Sequence, residues 1–216
     1  EQTAAAIRGL DCGTVRIGTF TSVAVHWLPG MIKRFQADYP NVELKLMNGD
    51  YHDVEQWLSE GSVDLGFIAL PTRLKGRITA LLAVVPVDHR LASLPRFPIK
   101  EVEHEPFISL LETSDHDARR ALEAAGVKPN IRYTTKDDYA IIAMVEQGLG
   151  VSIMPELLLS GRSDNVRIME LTPPASRTIG LCLPDADRAG PATARFAQCV
   201  SDWVRERYSR IQNTTS

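Results

Sequence analysis

Three strand patterns and two helix patterns alternate over residues 13–69, and this order is the feature that most constrains the fold. The strand patterns are Val15–Gly18, Val42–Leu46 and Val63–Ala69, and a helix pattern follows each of the first two. The order strand, helix, strand, helix, strand is typical of a doubly wound sheet with helices on its faces. In such sheets ligands bind at the carboxyl ends of the strands, so we expect ligand contacts where these three strands end.

The helix after the first strand begins next to a cluster of hydroxyl side chains. Its apolar face is formed by Leu28, Met31, Ile32, Phe35 and Tyr39. We expect Ser22 to cap this helix, whose N-terminus carries unpaired N–H groups and a partial positive charge that favour an anion. Pro29 leaves two alternatives: one helix from Ser22 with a kink, or a second helix that begins near Leu28. In the second helix pattern, Asp50 is expected to be the cap and Gly61 the end.

The second half of the chain shows a similar alternation without a detectable sequence repeat. Strand patterns occur at Leu81–Val87 with a break at Pro86, and at Phe107–Leu111, Ile131–Thr135, Val151–Met154, Val166–Leu171 and Arg177–Leu183. Prolines are expected to interrupt residues 172–175. Ser114 is expected to cap a helix with the apolar face Ala118, Leu122 and Ala125. Further helix patterns start at about Lys136 and cover Pro191–Tyr208, and Gln212–Ser216 is expected to be disordered.

Composition and charge argue against several classes of protein. The net charge is −3 and the basic residues are dispersed, so direct DNA binding by this chain is not predicted. No apolar run approaches the roughly 20 residues that a membrane-spanning helix needs. The three cysteines, Cys12, Cys182 and Cys199, lack metal-site spacing, and we interpret them as reduced thiols of a cytoplasmic protein.

Motifs of enzymes and cofactor sites are missing from the sequence. It contains no Gly-x-Ser-x-Gly elbow, phosphate loop, GxGxxG or HExxH, so we predict no cofactor and no enzymatic activity. Asp115, His116 and Asp117 could indicate a metal site, but adjacent residues on a helix point in different directions. We therefore predict no metal site.

Several segments, taken in their order and spacing, resemble one family over about Gly13–Tyr208. The segments are VRIG, SVAVHWLPGMIKRFQADYPNVELKL, LSEGSVDLGFIAL, LLAVVPVDHRLA and VEQGLGVSIMPE. With these segments the chain resembles the effector-binding domain of LysR-type transcriptional regulators. The resemblance implies an α/β fold of two Rossmann-like subdomains, joined by two crossing strands, of the type II periplasmic-binding-protein kind.

The resemblance also implies a division of the chain. The implied parts are residues 1–13 as the end of a linker helix, 14–84 and 175–210 as subdomain I, 85–174 as subdomain II, and 211–216 as a disordered tail. The crossing strands would be about Leu82–Val87 and about Leu171–Thr178. The link between Leu70 and Leu81 is shorter than the family usually has, through either a trimmed loop or omitted residues.

Effector contacts in the family correspond to residues of both implied subdomains. They are Thr21, Ser22, the Val23 amide, Asp50 and Ala69 in the first, and Leu111, Glu112, Thr113, Thr134, Thr135 and Lys136 in the second. Helix starts at Ser22 and Lys136 would face each other across a cleft and hold an anion through N–H and hydroxyl donors. Asp50 and Glu112 would repel a carboxylate, so an amino-acid-like or hydroxylated effector stays open beside a simple carboxylate.

The resemblance therefore predicts a sensor of a small polar or anionic metabolite. It implies a homodimer, with a tetramer as an alternative, that forms through the helices Leu28–Tyr39 and Pro191–Tyr208 of subdomain I. DNA would be bound only by an N-terminal helix-turn-helix that is absent from this chain. A solute-binding protein of a transporter has the same fold and is the alternative, and it would carry a secretory signal upstream of Glu1.

Overall fold

The computed structural model describes residues 12–70, 76–111, 116–161 and 165–212, and it divides the chain into two compact units. Of the described residues, unit 1 contains 12–69, 76–77 and 179–212, and unit 2 contains 70, 78–111, 116–161 and 165–178. Residues 78–84 and 175–178, which the resemblance assigned to subdomain I, thus fall in unit 2. The predicted N-terminal linker helix and much of the short link after Leu70 lie outside the described residues.

Unit 1 is built on parallel strands. They are β1 (Gly13–Thr19), β2 (Val42–Asn48) and β3 (Leu65–Leu70). The strand order of the sheet is β2-β1-β3-β9, where β9 (Val166–Cys182) reaches unit 1 with its last residues. β1 pairs in parallel with both β2 and β3. Val15 and Ile17 of β1 are completely buried, as the alternating pattern predicted. The three strands predicted in the first third of the chain are therefore confirmed.

The helices of unit 1 are α1 (Thr21–His26), α2 (Leu28–Asp38), α3 (Tyr51–Glu60) and α7 (Pro191–Gln212). Pro29 lies in the first turn of α2, so the second of the two sequence alternatives is correct. α7 packs against α2 through the rings of Phe35 and Phe196, whose centroids are 5.1 Å apart. α7 continues past Tyr208 to Gln212, and residues 213–216 of the expected tail lie outside the described residues.

The strands of unit 2 include β4 (Arg77–Pro86), whose first residue belongs to unit 1, and β5 (Phe97–Pro98), β6 (Pro106–Leu110), β7 (Asn130–Thr135) and β8 (Ser152–Pro155). β4 and β8 are antiparallel, and β6 and β7 form a parallel pair. The predicted break at residues 172–175 is wrong, because β9 is continuous. β5 pairs with β9 through Pro98 and Thr172, and the fixed φ of Pro173 and Pro174 is compatible with extended backbone.

The helices of unit 2 are α4 (Asp117–Ala124), α5 (Asp138–Glu146), the short α6 (Glu156–Leu159) and a 3-10 helix (Ile99–Glu103). The predicted apolar face of α4 is confirmed, because Ala118 and Leu122 are buried. Ser114, its predicted cap, lies outside the described residues. The sequence analysis missed β5, α6 and the 3-10 helix, which are too short to show a period.

Candidate functional site

The carboxyl ends of β1 and β2 lie side by side in unit 1. Thr19 pairs with Asn48 in the parallel register, and the N–H of Gly49 donates a hydrogen bond of 3.0 Å to the carbonyl of Thr19. The rings of Phe20 and Tyr51 then meet edge to face, with centroids 4.8 Å apart. The segments that follow the two strands are therefore neighbours, and they contain Thr21, Ser22, Val23 and Asp50 of the predicted site. Ala69 is half-buried near the end of β3.

The start of α1 differs from the prediction. Its N-cap is Phe20, whose carbonyl accepts the N–H groups of Val23 at 3.1 Å and Ala24 at 2.9 Å. Ser22 therefore lies inside the first turn, where it is buried, and the prediction that it caps the helix is wrong. The Val23 amide is engaged within the helix, and Thr21, which is half-buried, is the more accessible of the two hydroxyl residues.

Asp50 caps α3, as the sequence predicted. Its Oδ1 accepts the N–H of Asp53 at 2.9 Å, and Oδ2 of Asp53 accepts the N–H of Asp50 at 2.9 Å, which forms a reciprocal capping box. Gly61 ends the helix in the left-handed conformation, with φ of 72°, and this prediction is also confirmed. Two carboxylates consequently occupy the start of α3.

Of the predicted contacts of unit 2, Leu111 follows β6, Thr134 and Thr135 are the last residues of β7, and Lys136 follows β7. Leu110 pairs with Thr135, and the N–H of Leu111 donates to the carbonyl of Thr135 at 3.0 Å. Leu111 and Thr135 are therefore adjacent at one edge of this parallel pair. Thr134 and Lys136 flank Thr135 and are exposed. Glu112 and Thr113 lie outside the described residues.

The start of α5 also differs from the prediction. The N-cap is Asp137, whose carboxylate accepts the N–H groups of Tyr139 at 2.8 Å and Ala140 at 3.3 Å. The N–H of Asp137 donates in turn to Oγ1 of Thr135 at 3.2 Å. Lys136 thus precedes the helix, and the predicted helix start there is wrong. A side-chain carboxylate already occupies these amides, so this helix start does not offer them to an anionic ligand.

Asp117, which the sequence offered as a possible metal ligand, is buried among other partners. Asp117 is engaged in ion pairs with Arg120 and Arg177. No group of three or more His, Cys, Asp or Glu side chains in the described ranges could hold a metal ion. Within the same ranges, no helix is both long and apolar enough to cross a bilayer.

Comparison with known proteins assigns the family. Residues 8–205 match the model of the LysR substrate binding domain, and the chain belongs to this family. It is 30% identical over 208 residues to the HTH-type transcriptional regulator YvbU of Bacillus subtilis, a match that covers 94% of this chain and 71% of YvbU. The chain is therefore an effector-binding regulatory domain of a LysR-type regulator, a family of regulators and not of enzymes.

Solved structures show the same fold. The effector-binding domain of QuiR in complex with shikimate is similar with a TM-score of 0.79 at 17% identity, over 90% of this chain and 98% of that one. The regulatory domain of CcmR from Synechocystis PCC6803 in complex with 2-PG has a TM-score of 0.74 at 18% identity, over 88% and 96% of the two chains. The fold is thus the type II periplasmic-binding-protein-like fold that the resemblance implied. The family assignment therefore favours a transcriptional regulator over the alternative, a solute-binding protein of a transporter.

Proposed function

We propose that the domain senses a small polar or anionic metabolite through residues at or just after the carboxyl ends of strands in both units. The contacts of unit 1 are Thr21, Ser22, Val23, Asp50 and Ala69, and those of unit 2 are Leu111, Glu112, Thr113, Thr134, Thr135 and Lys136. The observation that carries the proposal is the parallel register, which makes Thr19 a neighbour of Asn48 and Leu110 a neighbour of Thr135. The register supports the proposal, because Thr21, Asp50, Leu111 and Thr135 lie at or just after the carboxyl ends of adjacent strands, where ligands of such sheets bind.

The chemistry of these residues favours a ligand with hydroxyl or amino groups beside its acid group. Thr21, Thr134 and Thr135 supply hydroxyl donors, and the exposed Lys136 supplies a positive charge. The carboxylates of Asp50 and Asp137 would repel a simple anion, but they accept hydrogen bonds from hydroxyl or ammonium groups. Shikimate in QuiR and 2-PG in CcmR are ligands of similarly folded domains and support a small polar effector.

The response would be transmitted to DNA by a helix-turn-helix domain of the full-length regulator. The match covers 71% of the HTH-type regulator YvbU, which leaves part of that protein outside the matched region. A ligand can change the output only if its affinity differs between the two states of the regulator. We propose a homodimer that forms through the outer faces of α2 and α7. Its mass in solution, measured by light scattering, should be twice that of one chain.

Thermal unfolding in the presence of hydroxylated carboxylates and amino acids tests the proposal. A ligand at 100 times its Kd stabilises the native state by about 2.7 kcal/mol, and the melting temperature rises accordingly. Thr21→Ala and Ser22→Ala should reduce the rise, whereas Ser59→Ala on the exposed surface of α3 should leave it unchanged. An undiminished rise in both site variants would remove this loop from the binding site.

A further inference from the structure

A second pocket, which is separate from the site proposed above, lies entirely within unit 1. It has a volume of about 320 Å³ and lies between α7 and the adjoining strands. The apolar side chains that line it are Trp27, Phe67, Ile179, Leu181, Val200 and Val204. One charged residue, Arg77 at the start of β4, also lines the pocket. A pocket of this size accommodates a small organic molecule.

The guanidinium of Arg77 is incompletely satisfied. Its Nε is buried and has no hydrogen-bond partner among the residues that the structure describes. No carboxylate in those ranges forms an ion pair with Arg77 either. A buried N–H of a charged group without a partner is unfavourable, and native structures normally satisfy such groups. Arg77 thus contributes to the pocket lining a guanidinium with one N–H that no described residue accepts.

Aromatic side chains fix the orientation of this guanidinium. Its central carbon lies 3.5 Å from the ring centroid of Tyr208, in the geometry of a cation–π contact. Nε1–H of Trp27 donates to the hydroxyl of Tyr208 at 3.0 Å, which holds the Tyr208 ring in place. Because the guanidinium stacks on a ring that is itself anchored, it is preorganised for a planar anion.

We propose that this pocket binds a small monocarboxylate with an apolar body. The carboxylate would accept the Nε–H of Arg77, and the hydrocarbon part would contact Trp27, Phe67 and the aliphatic side chains of the pocket. A carboxylate is flat and accepts two parallel hydrogen bonds from a guanidinium. The apolar lining disfavours sugar phosphates and other strongly hydrated anions, because burying their polar groups without partners is costly.

Calorimetric titration of the 216-residue chain with phenylacetate and with 4-methylpentanoate tests this assignment. At least one of the two should bind, and its neutral amide of the same shape should bind at least tenfold more weakly. Arg77→Met should weaken binding of the acid at least tenfold, and Arg77→Lys should restore only part of it, since lysine lacks the planar donor pair. Arg205→Met, which removes an exposed arginine of α7, is the matched control and should change nothing.

Further variants separate this pocket from the proposed effector site. Val204→Phe should abolish binding by filling the pocket, and Ser22→Ala should leave it unchanged. The assignment is overturned if neither acid binds at millimolar concentration, if acid and amide bind equally, or if Ser22→Ala and Arg77→Met weaken binding to the same extent. Melting curves of each variant without ligand confirm that it is folded before the affinities are compared.

Discussion

The carboxylate of Asp117 lies 3.5 Å from the guanidinium of Arg177, and both side chains are almost completely buried, with 1% and 2% of their surface exposed. The pair joins α4 to β9 inside unit 2. Oδ1 of Asp117 also accepts a hydrogen bond of 2.6 Å from Arg120, and Nε of Arg177 donates to Oγ1 of Thr79 at 3.3 Å. Two opposite charges are thus buried together with hydrogen-bond partners, which is the condition under which burial of charge is tolerated.

Removing one member of this pair should strongly destabilise the domain. Arg177→Met leaves the carboxylate of Asp117 buried without its partner in β9, and we expect a loss of about 3–5 kcal/mol in the free energy of unfolding. The control Arg120→Ala removes a guanidinium that is 44% exposed and should cost about 1 kcal/mol or less.

The double variant Asp117→Leu with Arg177→Met removes both buried charges and should be more stable than Arg177→Met alone. Urea unfolding followed by circular dichroism measures all four proteins. Equal stability of Arg177→Met and Arg120→Ala would contradict the assigned role of the buried pair.

Gly150→Ala should disrupt the junction between β6 and β8. A Cβ atom at Gly150 would lie 2.3 Å from the carbonyl oxygen of Pro106, which accepts the N–H of Val151 at 2.9 Å. Because the clash is with backbone, it cannot be relieved by rotation of a side chain, and we expect a loss of about 3 kcal/mol.

Gly126→Ala is the control for the junction, since its φ is +67° but nothing lies within 4 Å of the added Cβ. It should cost only the strain of the left-handed conformation, about 1–2 kcal/mol. The difference between the two variants in thermal melts reports the clash, and a larger loss for Gly126→Ala would contradict it.

The strands and their buried faces could be predicted from the sequence, whereas the starts of the helices could be predicted only in part. Val15 and Ile17 are buried on either side of the exposed Arg16, and this alternation does not depend on distant contacts. Asp50 was identified as a cap because it follows a turn and precedes an apolar period. At α1 and α5 several polar residues are adjacent, and backbone geometry determines which of them caps. Phe20 and Asp137 are therefore found where Ser22 and Lys136 were expected.

Contacts between residues distant in sequence could not be predicted. Asp117 was considered as a metal ligand because of its acidic neighbour and histidine, but its buried partner Arg177 is in β9. From the sequence, Arg77 falls in a connecting link, and only its position at the start of an apolar strand indicates that part of its guanidinium is buried. Its stacking on Tyr208 depends on how α7 returns to unit 1.

The stability of unit 1 should depend on pH through Asp64. Burial acts to raise the pKa of Asp64, but the side-chain and backbone hydrogen bonds from Arg16, together with its charge, outweigh burial and lower this pKa below the usual 3.8. A lowered pKa in the folded state means that the stabilisation is complete above the unfolded pKa and is lost as the pH falls through the folded value.

Asp64→Asn should therefore be less stable than the unsubstituted chain at pH 7, by about 1 kcal/mol or less because the pair is partly exposed. The difference should shrink as the pH falls below 3.8 and through the lower folded-state pKa. Ser59→Ala, at an exposed position of α3, removes no charge and is the control, which should show no such pH dependence. Melting temperatures across the acid range provide the measurement, and a constant difference down to the lowest pH would contradict the role of Asp64.

The three cysteines should differ in reactivity. Burial raises the pKa of the Cys182 thiol, and burial is also the main cause of the raised pKa of Cys199. A raised pKa lowers the thiolate fraction at neutral pH, and the thiolate is the reactive form. Iodoacetamide at pH 7.5 should modify the exposed Cys12 first, and peptide mass spectrometry measures the order. Equal modification rates of the three cysteines in urea would show that the fold causes the difference in reactivity. Fast modification of Cys199 in the native protein would contradict the expected order.

Asp50 combines a structural role with a proposed contact, and substitutions can separate the two. Asp50→Ala removes the acceptor for the N–H of Asp53 and should cost about 1 kcal/mol in the free energy of unfolding. Asp50→Asn retains an oxygen that caps the helix and should be nearly as stable as the unsubstituted chain, but it lacks the negative charge. If Asp50 accepts a hydrogen bond from an ammonium group of the effector, Asp50→Asn should weaken effector binding tenfold or more. Asp53→Asn, which changes the other carboxylate of the capping box, should weaken effector binding less. Titration of both variants with a ligand from the thermal screen measures the effect, and equal affinities would leave Asp50 only its role as a cap.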